Sequence, residues 1–282
     1  MSPENHEVTT VDYHTAGEPF RIVAAPPIPI PGASVAKKRM NAISDEEIDG
    51  LRRLLCFEPR GHADMYGGFI TEADDEGADF GVLFWHKDGF STACGHGTIA
   101  LGAWALDSGR VAPDVSGVTA VVIDVPSGRV TARVHTDPAG RVTSVDFINV
   151  ACRLIAAGVK TDVETVVDGG SPSVVPSREP VVIDLVWGGA IYACVDADRY
   201  GLAVVPGNLT ELIALGRQVK SAPAQHPLTR HHADDRLSGV YGTIFVNRLG
   251  TLPTGELHQR NVTVFADGQV DRSPCGAGTA AR

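Results

Sequence analysis

The chain has 282 residues, 43% of them hydrophobic and 21% charged, which suffices to bury a core and to form two domains of about 140 residues each. Its 24 basic and 34 acidic side chains leave a net charge of -10, and no basic run exceeds Lys37-Lys38-Arg39, which is expected as a solvated loop; nucleic acid and acidic membranes are therefore excluded as partners. No apolar run approaches the roughly 18 residues needed to span a bilayer, and Met1 to His6 lack the basic and apolar regions of a signal peptide, so the expected location is cytoplasmic.

In chain order, Pro26-Pro27-Ile28-Pro29-Ile30-Pro31 reads as a stiff extended connector. The first clear helix is Ser44 to Leu55, with Ser44 and Glu47 as a capping box and Ile48, Leu51, Leu54 and Leu55 as one apolar stripe. Short β-branched or aromatic runs bounded by Gly, Pro or Asp then predict strands at Phe80 to Trp85, Val118 to Val125, Arg129 to His135, Val142 to Asn149, Val181 to Trp187, Val240 to Val246 and Asn261 to Ala266. Pro126-Ser127-Gly128 and Asp137-Pro138-Ala139-Gly140 mark successive hairpins. A second amphipathic helix fits Leu209 to Lys220, with Asn208 as its cap. Strand outweighs helix without a regular βαβ alternation, so the fold class is α+β.

Five cysteines, odd in number and without regular spacing, are expected as free thiols. Two of them open a duplicated motif: Cys94-Gly95-His96-Gly97-Thr98-Ile99-Ala100 and Cys275-Gly276-Ala277-Gly278-Thr279-Ala280-Ala281 both read C-G-x-G-T-x-A. One copy falls in each half of the chain, which divides it into a first domain of 1–150 and a second of 151–282. After the first copy an apolar, small-residue pattern runs to Ser108-Gly109, which places Cys94 at a helix amino terminus. There the backbone N–H groups and the helix dipole stabilise a thiolate or a substrate carboxylate, and the glycines allow close approach and positive φ. Inverting a stereocentre by proton exchange needs a base on one face of the carbon and an acid on the other, which two opposed thiols supply. The plain alternative for each cysteine is a small buried hydrophobe, the reading adopted for Cys56, Cys152 and Cys194. A zinc site at Cys94, His96 and Cys275 would lack any CxxC or HExxH support, and no phosphate loop is present. His14 is open between a ligand contact and a structural hydrogen bond, Trp187-Gly188-Gly189 and Tyr66-Gly67-Gly68 between cleft bends and plain turns, and His231-His232 sits in a polar, solvated loop.

These motifs, together with Asp12-Tyr13-His14-Thr15-Ala16-Gly17-Glu18-Pro19 and Asp271-Arg272-Ser273-Pro274-Cys275-Gly276, resemble the proline racemase family, which includes 4-hydroxyproline epimerases and trans-3-hydroxy-L-proline dehydratases. The resemblance covers nearly the whole chain. It implies two similar lobes of the diaminopimelate epimerase kind, each a curved mixed sheet around a central helix, with the active site between them. It further implies a cofactor-independent racemase or epimerase of proline or hydroxyproline, with Cys94 and Cys275 as the proton-transfer pair and no metal. Gly95, His96, Gly276 and Ala277 would hold the substrate carboxylate, and His96 and Asp271 would flank the ring nitrogen. The only implied partner is the small imino acid itself; homodimerisation is left open. Arg60 to Gly67 and Gly81 to Phe84 look more like the dehydratase branch, in which threonine typically replaces the second cysteine. Cys275 argues for epimerisation, and the competing readings are a dehydratase or a silent thiol-redox or ligand-binding protein. Family members also continue beyond the position of Arg282, so the second lobe is expected to be incomplete here.

Overall fold

A computed structural model of the chain describes residues 7–167, 177–223 and 226–282; the leader reading of Met1 to His6 lies outside them. The chain forms two compact units, Met1–Val150 and Ala151–Arg282, with an α+β architecture built on two mixed sheets. Among the described residues no helix is long and apolar enough to cross a membrane.

The first unit contains β1 (Val11–Thr15), β2 (Glu18–Val23), α1 (Val35–Ser44), α2 (Glu46–Cys56), β3 (Tyr66–Thr71), β4 (Phe80–His86), β5 (Gly89–Phe90), α3 (Gly95–Asp107), β6 (Val118–Val125), β7 (Gly128–Thr136) and β8 (Val142–Ile148). Its sheet runs in the order β1-β2-β3-β4-β6-β7-β8, with β5 added beside β4. Helix α3 touches β1, β2 and β3 as well as β6, β7 and β8, so the sheet curves around it. The close approach is built into Gly102, where a Cβ would lie 2.5 Å from that of Ala132 on β7. On the opposite face α1 and α2 cover Phe69, Leu83 and Trp85 with Val35, Ile48, Leu51 and Leu55. Buried on both faces, β4 reads as a continuous apolar run rather than an alternation.

Helix α2 is capped by Asp45, whose carboxylate accepts from the N–H of Glu47 and Ile48, and not by the expected Ser44, which ends α1. The Lys37-Lys38-Arg39 triplet lies inside α1 and is not a solvated loop. Lys38 is buried with Nζ donating to the Glu72 carbonyl, and Arg39 Nε donates to that of Phe90. The long aliphatic stems let these cations pack against the sheet while their heads reach backbone oxygens. The two expected hairpins are β6-β7 and β7-β8, the second turn tightened by the Asp137 carboxylate accepting from Ala139 and Arg141 N–H groups. Pro26 to Pro31 carries no helix or strand.

The second unit contains β9 (Arg153–Val167), β10 (Ser177–Trp187), β11 (Ile191–Asp196), α4 (Leu209–Ser221), β12 (Val240–Thr251), β13 (Leu257–Phe265), β14 (Gln269–Val270) and α5 (Gly276–Ala281). Strand order is β14-β13-β12-β11-β10-β9, antiparallel except for β11 with β12. One face carries the apolar core, in which Ile183, Leu185, Ile191, Ala193, Val195, Phe245 and Val264 meet Leu212, Leu215 and Val219 of α4. Gly216 brings α4 close, since a Cβ there would lie 2.7 Å from that of Val264. Asn208 makes no cap bond to α4; its amide donates to the Ala203 carbonyl instead. Strand periodicity turns the alternate residues, Tyr192, Cys194, Ile244 and Thr263, to the other face. Helix α5 lies on that face, because a Cβ at Gly278 would meet Ile244 Cδ1 at 2.5 Å.

Candidate functional site

Cys94 is the N-cap residue of α3, as its motif predicts, with extended backbone at φ −155°. The N–H of Gly97 donates to its sulfur over 3.2 Å, and the N–H and hydroxyl of Thr98 both donate to its carbonyl. The G-T of the motif is thereby explained. Glycine leaves room for the sulfur, since a Cβ at Gly97 would sit 2.8 Å from Sγ, and threonine ties the first turn to the backbone. Gly95 and His96 are the first two residues of α3, where N–H groups have no acceptor within the helix and the dipole is positive. His96 is buried and both ring nitrogens lie near the sulfur, Nδ1 at 3.4 Å and Nε2 at 3.6 Å. The edges and faces of Tyr66 and Phe20 hold the imidazole, with ring centroids at 4.9 Å and 5.9 Å. The Tyr66 hydroxyl bonds that of Ser91, and Thr15 donates to the His96 carbonyl over 3.0 Å.

Cys275 occupies the corresponding place before α5, but its backbone takes φ 60° and ψ 90°. A non-glycine residue in this region is strained, and such strain concentrates at functional positions. None of Gly95, Gly97, Gly276 or Gly278 has a positive φ, contrary to the expectation placed on the motif glycines. Asp271 builds the turn: its carboxylate accepts from the N–H and hydroxyl of Ser273, and the Ser273 hydroxyl accepts from the N–H of Cys275. Thr279 N–H donates to the Cys275 carbonyl and its hydroxyl to that of Pro274. Burial and the Asp271 carboxylate push the Cys275 thiol up to about 12, against an opposing effect of the Thr263 hydroxyl, the Gly278 N–H and the Tyr192 hydroxyl. At neutral pH this sulfur therefore carries its proton. Ala277 is buried and Gly276 partly so, both in the first turn of α5.

The structure thus brings Cys94, Gly95 and His96 together in one unit, and Asp271, Cys275, Gly276 and Ala277 in the other. Ser91 and Thr15 around the first motif, and Ser273, Tyr192 and Thr263 beside the second thiol, carry no site role in the sequence, where Tyr66 figures only with Gly67 and Gly68, open between a cleft bend and a plain turn. Position could have found some of them: Thr15 lies inside the quoted Asp12–Pro19 segment, Ser273 inside Asp271–Gly276 and Tyr66 inside Arg60–Gly67. Cys56 is buried with its thiol pushed up to about 11 by desolvation, whereas Cys152 is exposed and Cys194 half-buried, so neither of these two is a core residue. His14 is exposed and accepts from Gly17 N–H, a turn bond within the β1-β2 connection. Gly188 and Gly189 form the β10-β11 turn, while Gly67 and Gly68 lie inside β3. His231 is half-buried against Trp187, with ring centroids 4.5 Å apart, rather than fully solvated.

Residues 10–282 match the model of a family described as proline racemase. A trans-3-hydroxy-L-proline dehydratase of Colwellia psychrerythraea is 39% identical over 98% of this chain and 72% of its own length. A 3-hydroxyproline 2-epimerase of Burkholderia multivorans is also 39% identical, over 99% of this chain and 77% of its own. The crystal structure of a hydroxyproline epimerase from Agrobacterium vitis, with bound trans-4-hydroxy-L-proline, superposes with a TM-score of 0.80 at 27% identity, covering 96% of this chain and 74% of that one.

Proposed function

Because this chain belongs to the proline racemase family, we propose that it is a cofactor-independent epimerase that inverts the α-carbon of a hydroxyproline, with Cys94 and Cys275 as its two proton-transfer groups. Cys94 is the resting base: its sulfur accepts the Gly97 N–H at the amino end of α3, an environment that favours a thiolate. It takes the α-proton, and the electron pair left on carbon delocalises into the substrate carboxylate. The N–H groups that begin the two motif helices, at Gly95, His96, Gly276 and Ala277, stabilise the charge that develops there. Cys275, protonated at rest, delivers its proton to the opposite face. The product is the epimer, the sulfurs have exchanged protonation states, and the reverse reaction starts from that second form.

The observation that carries this reading is Cys275 itself, a buried second thiol at the corresponding motif position, held by the turn that Asp271 builds. Dehydration of a 3-hydroxyproline needs one base for the α-proton and expels the ring hydroxyl, so it has no use for a second acid at the α-carbon. The dehydratase reading stands second. It is favoured by the name of the Colwellia psychrerythraea relative, which is as similar as the epimerase relative. A 3-hydroxylated ring is the first substrate to test, and 4-hydroxyproline the second.

The test is incubation of the purified protein with trans-3-hydroxy-L-proline, trans-4-hydroxy-L-proline and L-proline in deuterated water, followed by proton NMR and chiral chromatography. The opposite C2 epimer carrying deuterium at the α-position is expected. A pyrroline product would replace this reading with the dehydratase.

A further inference from the structure

The proposed cycle leaves Cys275 as a thiolate for half of each turnover, in surroundings that disfavour the charge: the sulfur is buried and Asp271 lies close by. A charge in such a place persists only if donors are held ready for it. Two donors come from the motif and its sheet, the Gly278 N–H and the Tyr192 hydroxyl. The third is Thr263 of β13, which no motif marks.

Thr263 reaches Cys275 through sheet register. Val262 and Val264 pack toward the apolar core, so Thr263 turns to the α5 face. It pairs with Ile244 of β12, the residue against which Gly278 packs, and its carbonyl accepts the N–H of Asp271. The strand therefore fixes Thr263 directly beneath the turn that carries Cys275. Its side chain is 1% exposed, and Oγ1 has no hydrogen-bond partner of normal geometry among the described residues. A buried hydroxyl left without an acceptor is destabilising, and valine would fill the same space without that cost. The Cys275 sulfur is the group this hydroxyl acts on, lowering the thiol's pKa without a hydrogen bond of normal geometry at rest, and such a donor gains most when the sulfur is charged.

We propose that Thr263 is a positioning residue whose hydroxyl donates to the Cys275 thiolate during the half of the cycle in which that sulfur carries the charge. This assignment rests on the epimerase reading for its catalytic meaning, but the contact itself is tested without turnover. Thiolate is the form that alkylates, so at fixed pH the labelling rate of Cys275 follows its thiolate fraction. Iodoacetamide labelling is followed by peptide mass spectrometry at pH 9.0, where an ordinary thiol is half ionised, in the wild-type protein, Thr263→Val and Thr263→Ser. Methyl methanethiosulfonate serves as the smaller reagent if iodoacetamide is too slow.

Valine keeps the shape and removes the donor; serine keeps the donor. Labelling of Cys275 is expected to fall about tenfold in Thr263→Val and to stay within about twofold of wild type in Thr263→Ser, as befits a hydrogen bond to a charged group. The exposed Cys152 should label equally in all three. In the epimerisation assay kcat should fall in Thr263→Val with KM little changed. An unchanged or faster Cys275 rate in Thr263→Val, or equal slowing in both variants, would overturn the assignment. Absence of epimerisation with the labelling pattern intact would instead remove the epimerase reading and leave the Thr263 contact standing.

Discussion

The N–H of Gly97 donates to the sulfur of Cys94 over 3.2 Å, and a Cβ on Gly97 would lie only 2.8 Å from that sulfur. The same glycine stands three residues after Cys275, where the corresponding distance is 3.0 Å. The third residue after each motif cysteine is therefore dictated by contact with sulfur. Gly97→Ala should displace the thiol and lower kcat by about 100-fold, the scale of losing one well-placed donor. It should also destabilise the fold by about 1–3 kcal/mol, because the added carbon meets Phe20 Cε2 at 2.5 Å in a packed core. Gly278→Ala should be milder in stability, since its nearest obstacle is the movable end of Ile244. Urea unfolding and steady-state rates on the two variants check both statements.

Cys275→Thr removes the acid from the second face while leaving Cys94 and its helix untouched. With trans-3-hydroxy-L-proline this variant should lose epimerisation and release a pyrroline instead, because the α-carbanion can then only return its proton from Cys94 or expel the ring hydroxyl, and the second path alone yields a product. Product analysis by mass spectrometry and NMR reads the outcome. Epimer formation at the wild-type rate would show that Cys275 is not the second acid.

Burial raises the thiols of Cys56 to about 11 and of Cys194 and Cys275 to about 12, from an ordinary value of 9.0. A group whose folded pKa is raised contributes stability that is present below its unfolded pKa and lost as pH climbs toward the folded one. Stability should therefore decline between about pH 9 and pH 11 as unfolded thiols ionise first. Thermal midpoints measured across this range should fall less steeply in Cys56→Ala, although that variant starts lower for loss of core packing. An equal slope in the variant would mean that Cys56 does not contribute to the decline.

Asp45 accepts the N–H groups of Glu47 and Ile48 at the start of α2, and Ser44 does not cap that helix. Asp45→Ala should cost about 1 kcal/mol, whereas Ser44→Ala should cost much less. Chemical denaturation of the two variants compares them directly.

Much of this was legible in the sequence, for physical reasons that differ by element. Strands such as Val118–Val125 and the hairpin turns beside it stand out because β-branched runs end abruptly at Pro, Ser or Gly. Helix α1 was hidden because Lys38, in the middle of its charged triplet, is buried through its stem, a use of lysine that composition reads as solvent exposure. β9 and β11 escaped because their alternation is interrupted by small and polar residues. At the site, the duplicated motif exposed both cysteines and the residues next to them. Thr263 and Tyr192 act on Cys275 through strand register, and register is a long-range property that no local pattern encodes. The positive φ of Cys275 is equally invisible in the sequence, because the neighbouring glycines are the residues that adopt it at least cost.

The central claim is that the two thiols serve opposite faces of one carbon, and the most direct test is α-hydrogen exchange in deuterated water by Cys94→Ser and Cys275→Ser, each with both C2 epimers of the substrate. Neither variant should form the opposite epimer, and each should wash out the α-hydrogen of one epimer only, Cys275→Ser acting on the epimer that Cys94 deprotonates and Cys94→Ser on the other. Epimerisation by either variant, or exchange of the same epimer by both, would contradict the claim.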